Sequence, residues 1–381
     1  MRILQVVSGY PPMLGGIENS VHELVRRLRL RGHETFVVTA SGNSSSSVKN
    51  GVYFLSTPLK IEGEWGEIFI CPSILNVLKK IDFEVAHAHV PRKFFAEALP
   101  IVKILYRKNF PYVVSVRLIN VSLPPLLRSV SFLYFKTIEK QVFKRAERIV
   151  VQTEFNRRLL SETCGIPLEK IEIIPNAVDT EIFNPQRFRI EDLREKYGVK
   201  AEKTVLYAGR LTSQKGLIFL MKSIPKVLKD FSDIEFIIVG KGPLESRLRR
   251  MTKRFSIHSH IKFLNSVPHR LMPELYALAD IFVLPSLSES FPNAVLEAMA
   301  MEKPTITTKV GVIPEIFTHG KHTFLINAGD VKELTNALLM LLCDETLSRE
   351  LGRNSRKLVK TKYSWERVLE KTLNLYQEIL R

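Results

Sequence analysis

Two loop cations and two carboxylates stand out in the C-terminal half of the chain. In Gly209-Arg210-Leu211-Thr212-Ser213-Gln214-Lys215-Gly216, an arginine and a lysine lie between two glycines. A guanidinium forks onto phosphate oxygens and an ammonium adds a point charge, so the pair suits a phosphorylated ligand. On spacing alone it also suits a solvated loop. Glu289-Ser290-Phe291-Pro292-Asn293-Ala294-Val295-Leu296-Glu297 carries the carboxylates. An ionised carboxylate only accepts hydrogen bonds, so two of them can hold hydroxyl groups at separate points. Pro292 suits the first position of a helix. That would leave the amides of Asn293 and its neighbours open to a ligand. Glu297 could be a plain solvated helix residue, but Val295-Leu296 and Ala298-Met299 leave few exposed positions beside it. Gly240 and Gly242 would let a ligand lie against bare backbone.

The N-terminal half offers less. Gly15-Gly16 before a helical pattern is either a tight turn or an approach to a phosphate at a helix N-terminus. No GxGxxG follows a strand, which argues against NAD and FAD. His87 and His89 end an apolar run two residues apart and so share a face. No HxxxH, DxD or cysteine cluster supplies the further ligands a metal would need. Strand-end histidines of this kind are structural or catalytic, and His33 after Gly32 reads as structural.

The elements that must position these groups are strands alternating with amphipathic helices. Ile3–Ser8, Thr35–Ala40, Val85–Ala88, Tyr112–Val116 and Arg148–Gln152 are near-continuous apolar runs. The pattern restarts at Thr204–Ala208, then Glu235–Val239, Ile261–Leu264, Ile281–Leu284, Thr305–Thr308 and Phe324–Ile326. Such runs, separated by helical stretches, predict parallel sheets covered on both faces, here two doubly wound α/β units in tandem. Ligands of such sheets sit beyond the carboxyl ends of the strands, where all the candidate residues fall.

Composition agrees. The 381 residues, 45% hydrophobic and 25% charged, describe an ordinary globular protein. Disordered, collagen-like and disulfide-scaffold classes drop out. Three scattered cysteines point to a reducing compartment, and the opening reads as a strand, so a cytoplasmic protein is expected. The net charge of +17 favours anionic partners. Between Arg92 and Arg158 there are 14 Lys and Arg against four acids. This basic stretch flanks the apolar Leu118–Phe135, which reads either as a core helix with a solvated basic face or as an anionic-membrane contact. No nucleic-acid recognition module appears, and none is expected.

In sequence the motifs resemble those of family 4 retaining glycosyltransferases (glycosyltransferase group 1) with the GT-B fold. The likeness runs from the Pro-Pro…Gly-Gly-Ile-Glu opening through Arg31-Gly32-His33 and Ile174-Pro175-Asn176-Ala177-Val178-Asp179-Thr180. It continues through Gly209–Gly216, Pro285-Ser286, Glu289–Glu297, Pro314-Glu315-Ile316 and Trp365. The resemblance implies two Rossmann-like domains facing a central crevice, acceptor-side 1–180 and donor-side 181–364, with a C-terminal helix 365–381 returning to the first. It implies transfer of a hexosyl unit from a nucleotide-sugar donor to a sugar or lipid-linked acceptor, without an obligatory metal or other cofactor. Arg210 and Lys215 would stabilise the leaving diphosphate. Glu289, with the Phe291–Asn293 backbone, would hold the donor sugar, Glu297 the ribose, and Gly240 and Gly16 would lie by the nucleotide. His89 would face the reacting centre. Arg117 stands on the acceptor side where the family usually has His. Pro292, Ala177, Val312 and Asn265 replace frequent glycines. A nucleotide-sugar epimerase of the same fold is the alternative. An acceptor reached at the inner face of a membrane is the further expectation.

Overall fold

The computed structural model describes residues 1–11, 16–41, 45–57, 59–63, 66–71, 73–90, 95–117 and 140–381. Two compact units emerge, Met1–Asn176 together with Val368–Arg381, and Ala177–Arg367. The divisions lie a few residues from the expected 180/181 and 364/365. The apolar stretch Leu118–Phe135 lies outside the described residues. Among those described, no helix is long and apolar enough to cross a membrane.

The first unit holds β1 (Arg2–Val7), β2 (Glu34–Ala40), β3 (Ser47–Lys49), β4 (Val52–Leu55), β5 (Leu59–Gly63), β6 (Gly66–Ile70), β7 (Val85–Val90), β8 (Tyr112–Val116), β9 (Arg148–Val151) and β10 (Ile171–Ile173). Eight of them form one sheet in the order β10-β9-β8-β7-β1-β2-β4-β3, parallel except for the antiparallel edge strand β3. β5 and β6 pair as a separate antiparallel hairpin. Every residue of β8 is buried, as is all of β1 beyond Arg2. That double-sided burial is why these strands read as unbroken apolar runs. The chain order reverses between β1 and β7, and both strands end there.

The second unit holds β11 (Lys203–Ala208), β12 (Ile234–Val239), β13 (Ile261–Leu264), β14 (Ile281–Leu284), β15 (Thr305–Thr308) and β16 (Phe324–Ile326). All are parallel, in the order β13-β12-β11-β14-β15-β16. This is the doubly wound dinucleotide-fold order, and its switch point lies between β11 and β14. The helix Leu217–Asp230 covers the sheet with Leu217, Leu220, Met221, Ile224 and Val227, a helical-period stripe. β8, β13, β14, β15 and β16 have the bounds expected from sequence. β3 to β6 and β10 were not anticipated: they are short, marginal or paired by themselves.

Candidate active site

The switch point of the second sheet gathers the loop cations and the first carboxylate. After β11, Gly209 is fixed by its amide to the Val239 carbonyl (3.0 Å). Ser213–Lys215 make one tight turn, and Gly216 ends it in the left-handed region (φ 68°). A Cβ on Gly216 would fall 1.8 Å from the Pro285 carbonyl oxygen, so this contact admits only glycine. The loop after β14 is thereby brought against the loop after β11. The Leu287 amide donates to the Gln214 carbonyl (2.7 Å), and the Gln214 side chain to the Ser288 carbonyl (3.3 Å).

These backbone contacts place Lys215 on Glu289. The Lys215 Nζ is 2.5 Å from Glu289 Oε1, which also accepts from the Ser286 hydroxyl at 2.6 Å. Only 5% of the Glu289 side chain is exposed, and 18% of Lys215. A carboxylate so far from water needs a counter-charge and hydrogen bonds, and it has both. Sequence reading gave these two residues separate tasks; the structure joins them. Arg210, by contrast, is exposed and its guanidinium has no partner among the described residues, while its carbonyl accepts from the Tyr207 hydroxyl (3.0 Å). Burial raises the Tyr207 pKa, with Glu289 adding to the shift and Arg210 opposing it, so both charges lie in its neighbourhood.

Glu297 sits in the helix Asn293–Ala300 and is not a solvated residue. Its Oε1 accepts from His269 Nε2 (2.9 Å) and its Oε2 from the Tyr276 hydroxyl (2.8 Å). Burial first, then the Glu297 charge, raises the Tyr276 pKa well above its ordinary value, which keeps the phenol a donor. Phe183 packs against both partners, 5.6 Å from the His269 ring and 5.8 Å from Tyr276. Two lone-pair directions of the carboxylate remain for a ligand.

Three details differ from expectation. Pro292 is the N-cap, at φ −89° and ψ 71°, and the helix begins one residue later. The Asn293 amide is turned back onto the Phe291 carbonyl (3.1 Å), so it does not stand open. At Gly240 (φ 140°) the space a Cβ would fill holds the Gly209 carbonyl, 1.9 Å away, and at Gly242 it holds that of Leu211, 2.4 Å away. The bareness of these glycines serves loop packing. Phe291 is buried and meets the Tyr363 ring at 6.2 Å, so its side chain is a packing element.

The switch point of the first sheet carries a polar chain. Gln5 of β1 lies opposite His87 of β7, and His89 lies opposite Ser115 of β8. The imidazoles of His87 and His89 stack at 4.2 Å. His87 Nε2 is 2.7 Å from the Ser115 hydroxyl and its Nδ1 is 2.5 Å from the hydroxyl of Tyr376, a residue of the helix Trp365–Leu380. The Gln5 amide donates to the same hydroxyl (3.1 Å), and its Oε1 is 2.7 Å from His89 Nε2. His89 Nδ1 is buried and has no partner among the described residues. Arg117, just beyond β8, likewise buries its Nε with no partner among the described residues. Gly16 is the exposed first residue of the helix Gly16–Leu30; Gly15 lies outside the described residues.

Both histidines are held neutral. Burial, reinforced by Arg117, pushes His87 down to about 3, and burial, then His87, then Arg117 hold His89 well below the usual imidazole range. The unfolded chain takes up protons near the ordinary imidazole value of 6.5 while the native state does not. Stability from these residues is therefore full above that pH and is lost as pH falls towards about 3. The thermal midpoint should drop across that window more steeply in the parent protein than in His89→Gln. Equal slopes would refute neutral burial of His89.

Sequence reading missed Gln5, Ser115, Tyr376, Ser286, His269 and Tyr276. A signal existed for the first two: each is a polar residue inside an otherwise apolar strand. Ser286 stood in the Pro285-Ser286 motif, three positions from Glu289, but without a role; Tyr376, His269 and Tyr276 act across long separations that a linear pattern does not reveal.

Two doubly wound α/β units of this kind make the GT-B fold of glycosyltransferases. The family comparisons agree. Residues 14–182 match the model for Glycosyltransferase Family 4, and residues 189–358 that for Glycosyl transferases group 1. The chain belongs to the group 1, family 4 glycosyltransferases. It is 26% identical to an uncharacterized glycosyltransferase of Methanocaldococcus jannaschii, covering 99% of this chain and 98% of the other. It is 24% identical to the N-acetyl-alpha-D-glucosaminyl L-malate synthase of Bacillus anthracis (97% and 96%). It is 25% identical to one subunit of the human phosphatidylinositol N-acetylglucosaminyltransferase (99% and 76%). Among solved structures it resembles a Rickettsia africae glycosyltransferase (TM-score 0.78, 20% identity, 100% of this chain and 98% of that one). It also resembles Anabaena HepE in complex with UDP (TM-score 0.77, 18% identity, 99% and 100%).

Proposed function

We propose that the protein transfers a hexosyl unit from a nucleotide sugar to a hydroxylated acceptor with retention of anomeric configuration. The observation that carries this reading is the Lys215–Glu289 pair at the β11–β14 switch point, with Arg210 nearby and without a partner among the described residues. In this reading Arg210 and Lys215 meet the diphosphate where negative charge grows as the glycosidic C–O bond breaks. Two fixed cations there supply the charge that other enzymes draw from a metal ion. The new C–O bond forms on the same face of the sugar, and the acceptor's proton passes to the departing phosphate oxygen. No protein base is then required. Glu289 aligns the sugar hydroxyls. The UDP complex of a structural neighbour supports a nucleotide-sugar donor.

Release of nucleoside diphosphate from UDP-, GDP- and ADP-sugars, with and without acceptor, tests the reading. Acceptor-dependent release supports it. Isomerised donor with no release points to an epimerase. Glu297 is assigned the ribose, so Glu297→Ala should weaken nucleoside diphosphate alone by about tenfold, the scale of a charge-assisted hydrogen bond. Calorimetry checks this, and unchanged affinity rejects the assignment.

A further inference from the structure

The two faces of the second unit differ in charge. β11, β12 and β13 follow one another across the sheet, so right-handed crossovers put the helices Leu217–Asp230 and Glu245–Arg254 on the same side of it. The chain then returns past β11 to β14 and β15, which puts Met272–Leu278 and Asn293–Ala300 on the other side. Leu217–Asp230 carries Lys222, Lys226 and Lys229 against Asp230. Glu245–Arg254 carries Arg247, Arg249, Arg250, Lys253 and Arg254 against Glu245. Eight cations against two acids leave +6 of the chain's +17 on these two helices. Across the sheet, the two helices there and their neighbours Ile190–Tyr197 and Glu345–Leu358 carry six cations and seven acids, which is close to neutral.

The positions of the cations add to their number. Lys222, Lys226 and Lys229 recur at helical spacing along one stripe, as do Arg247, Arg250 and Arg254, and all six are exposed. Arg249 is engaged: it pairs with Glu245 (2.9 Å) and lies over the Phe263 ring at 4.5 Å. None of the six has a carboxylate partner among the described residues. By contrast, in the basic stretch of the first unit Lys103, Arg148, Arg157 and Arg158 are held in ion pairs. Like charges stacked along a helix repel one another, so an unneutralised stripe carries a cost that an anionic partner removes.

The shape of the face selects the partner. The two helices pack against each other, about 21 and 15 Å long and roughly 10 Å apart, and make a flat plate. A nucleic-acid duplex is read by one element entering a groove, and single strands are held by stacking on aromatic rings. Neither helix offers an exposed aromatic side chain: Phe219 is half-buried against Gly329, and Glu245–Arg254 has none. A flat plate of one sign, without stacking rings, fits a bilayer of anionic phospholipids, whose phosphates form a plane. We propose that this face, Leu217–Asp230 with Glu245–Arg254, docks the protein on such a bilayer by charge. The first of these helices is capped by Gly216, next to Lys215, so docking sets Lys215 at the rim of the contact. Taken with the transferase reading, this favours an acceptor carried by a lipid; the docking itself does not rest on that reading.

Co-sedimentation of the full chain with vesicles tests it. At low salt the protein should bind vesicles of mixed phosphatidylglycerol and phosphatidylcholine and not those of pure phosphatidylcholine, and it should leave the lipid at about 0.5 M salt. Lys226→Gln/Arg250→Gln/Arg254→Gln should weaken partitioning about a hundredfold, at about fivefold per cation. Lys144→Gln/Arg145→Gln, in the first unit, should cost less than about tenfold. The triple variant should melt with the parent and bind UDP equally, which separates loss of lipid from loss of fold or donor site. Equal binding to both kinds of vesicle, no binding at low salt, or a triple variant that binds as the parent does would each overturn the proposal. So would release by the first-unit variant alone, or a DNA duplex bound more tightly than the vesicles through the same three side chains. Vesicle binding without any UDP binding counts against the transferase and leaves the docking face standing.

Discussion

Arg210→Ala should lower kcat by about a hundredfold or more while leaving the thermal midpoint within roughly 2 °C of the parent protein. The two halves of that expectation have separate origins. The Arg210 side chain is exposed and has no partner among the described residues, so its removal breaks nothing native. Surface changes of this kind usually stay within about 0.5 kcal/mol. The kinetic loss arises because its charge is needed only when the diphosphate departs. Lys215→Ala should match the kinetic loss but also destabilise the second unit, on the order of 3 kcal/mol, since buried Glu289 then loses its counter-charge. Steady-state kinetics and thermal melting together separate the cases. Near-parent turnover in Arg210→Ala would remove it from the reaction.

Glu289→Gln is the second large effect, and it should split binding from transfer. The substitution keeps an oxygen for the Ser286 hydroxyl and removes the charge that holds Lys215. Lys215 is then free for a diphosphate, so UDP alone should bind at least as tightly as to the parent. Transfer should fall by about a hundredfold, because the carboxylate that orders the sugar in the transition state is gone. Calorimetry with UDP and turnover with the full donor read the two quantities. Weakened UDP binding with normal turnover would reverse the assigned roles.

Much of this was legible in the linear chain, and the limits have physical causes. Parallel strands buried on both faces are near-continuous apolar runs, so Tyr112–Val116 and Ile281–Leu284 could be bounded to the residue. The loops after them carry the polar residues, which located Arg210, Lys215, Glu289 and Glu297. What the sequence order hides is the strand order. β11 and β14 are neighbours in the sheet although two strands intervene along the chain, and that adjacency alone puts Lys215 on Glu289. Glu297 is similar: its partners His269 and Tyr276 come from another helix and loop, and helical periodicity says nothing about either. The buried chain in the first unit was only partly legible: Gln5 and Ser115 stand out as polar residues in apolar strands, but their link to Tyr376 spans far more of the chain. Gln5 and Tyr376 are separated by 371 positions.

That separation matters while the protein is being made. Val368–Arg381 belongs to the first unit, yet it leaves the ribosome after all of Ala177–Arg367. The second unit can therefore complete its core first, and the unit that begins the chain finishes last. Until Tyr376 arrives, His87 Nδ1 and the Gln5 amide lack the partner they share in the native state. Each such orphan costs about 1–3 kcal/mol when dry. A nascent first unit thus has reason to stay open and wet at β1 and β7 through most of synthesis. Contacts of such long range are slow to form, so closure of this seam is the natural last step of folding.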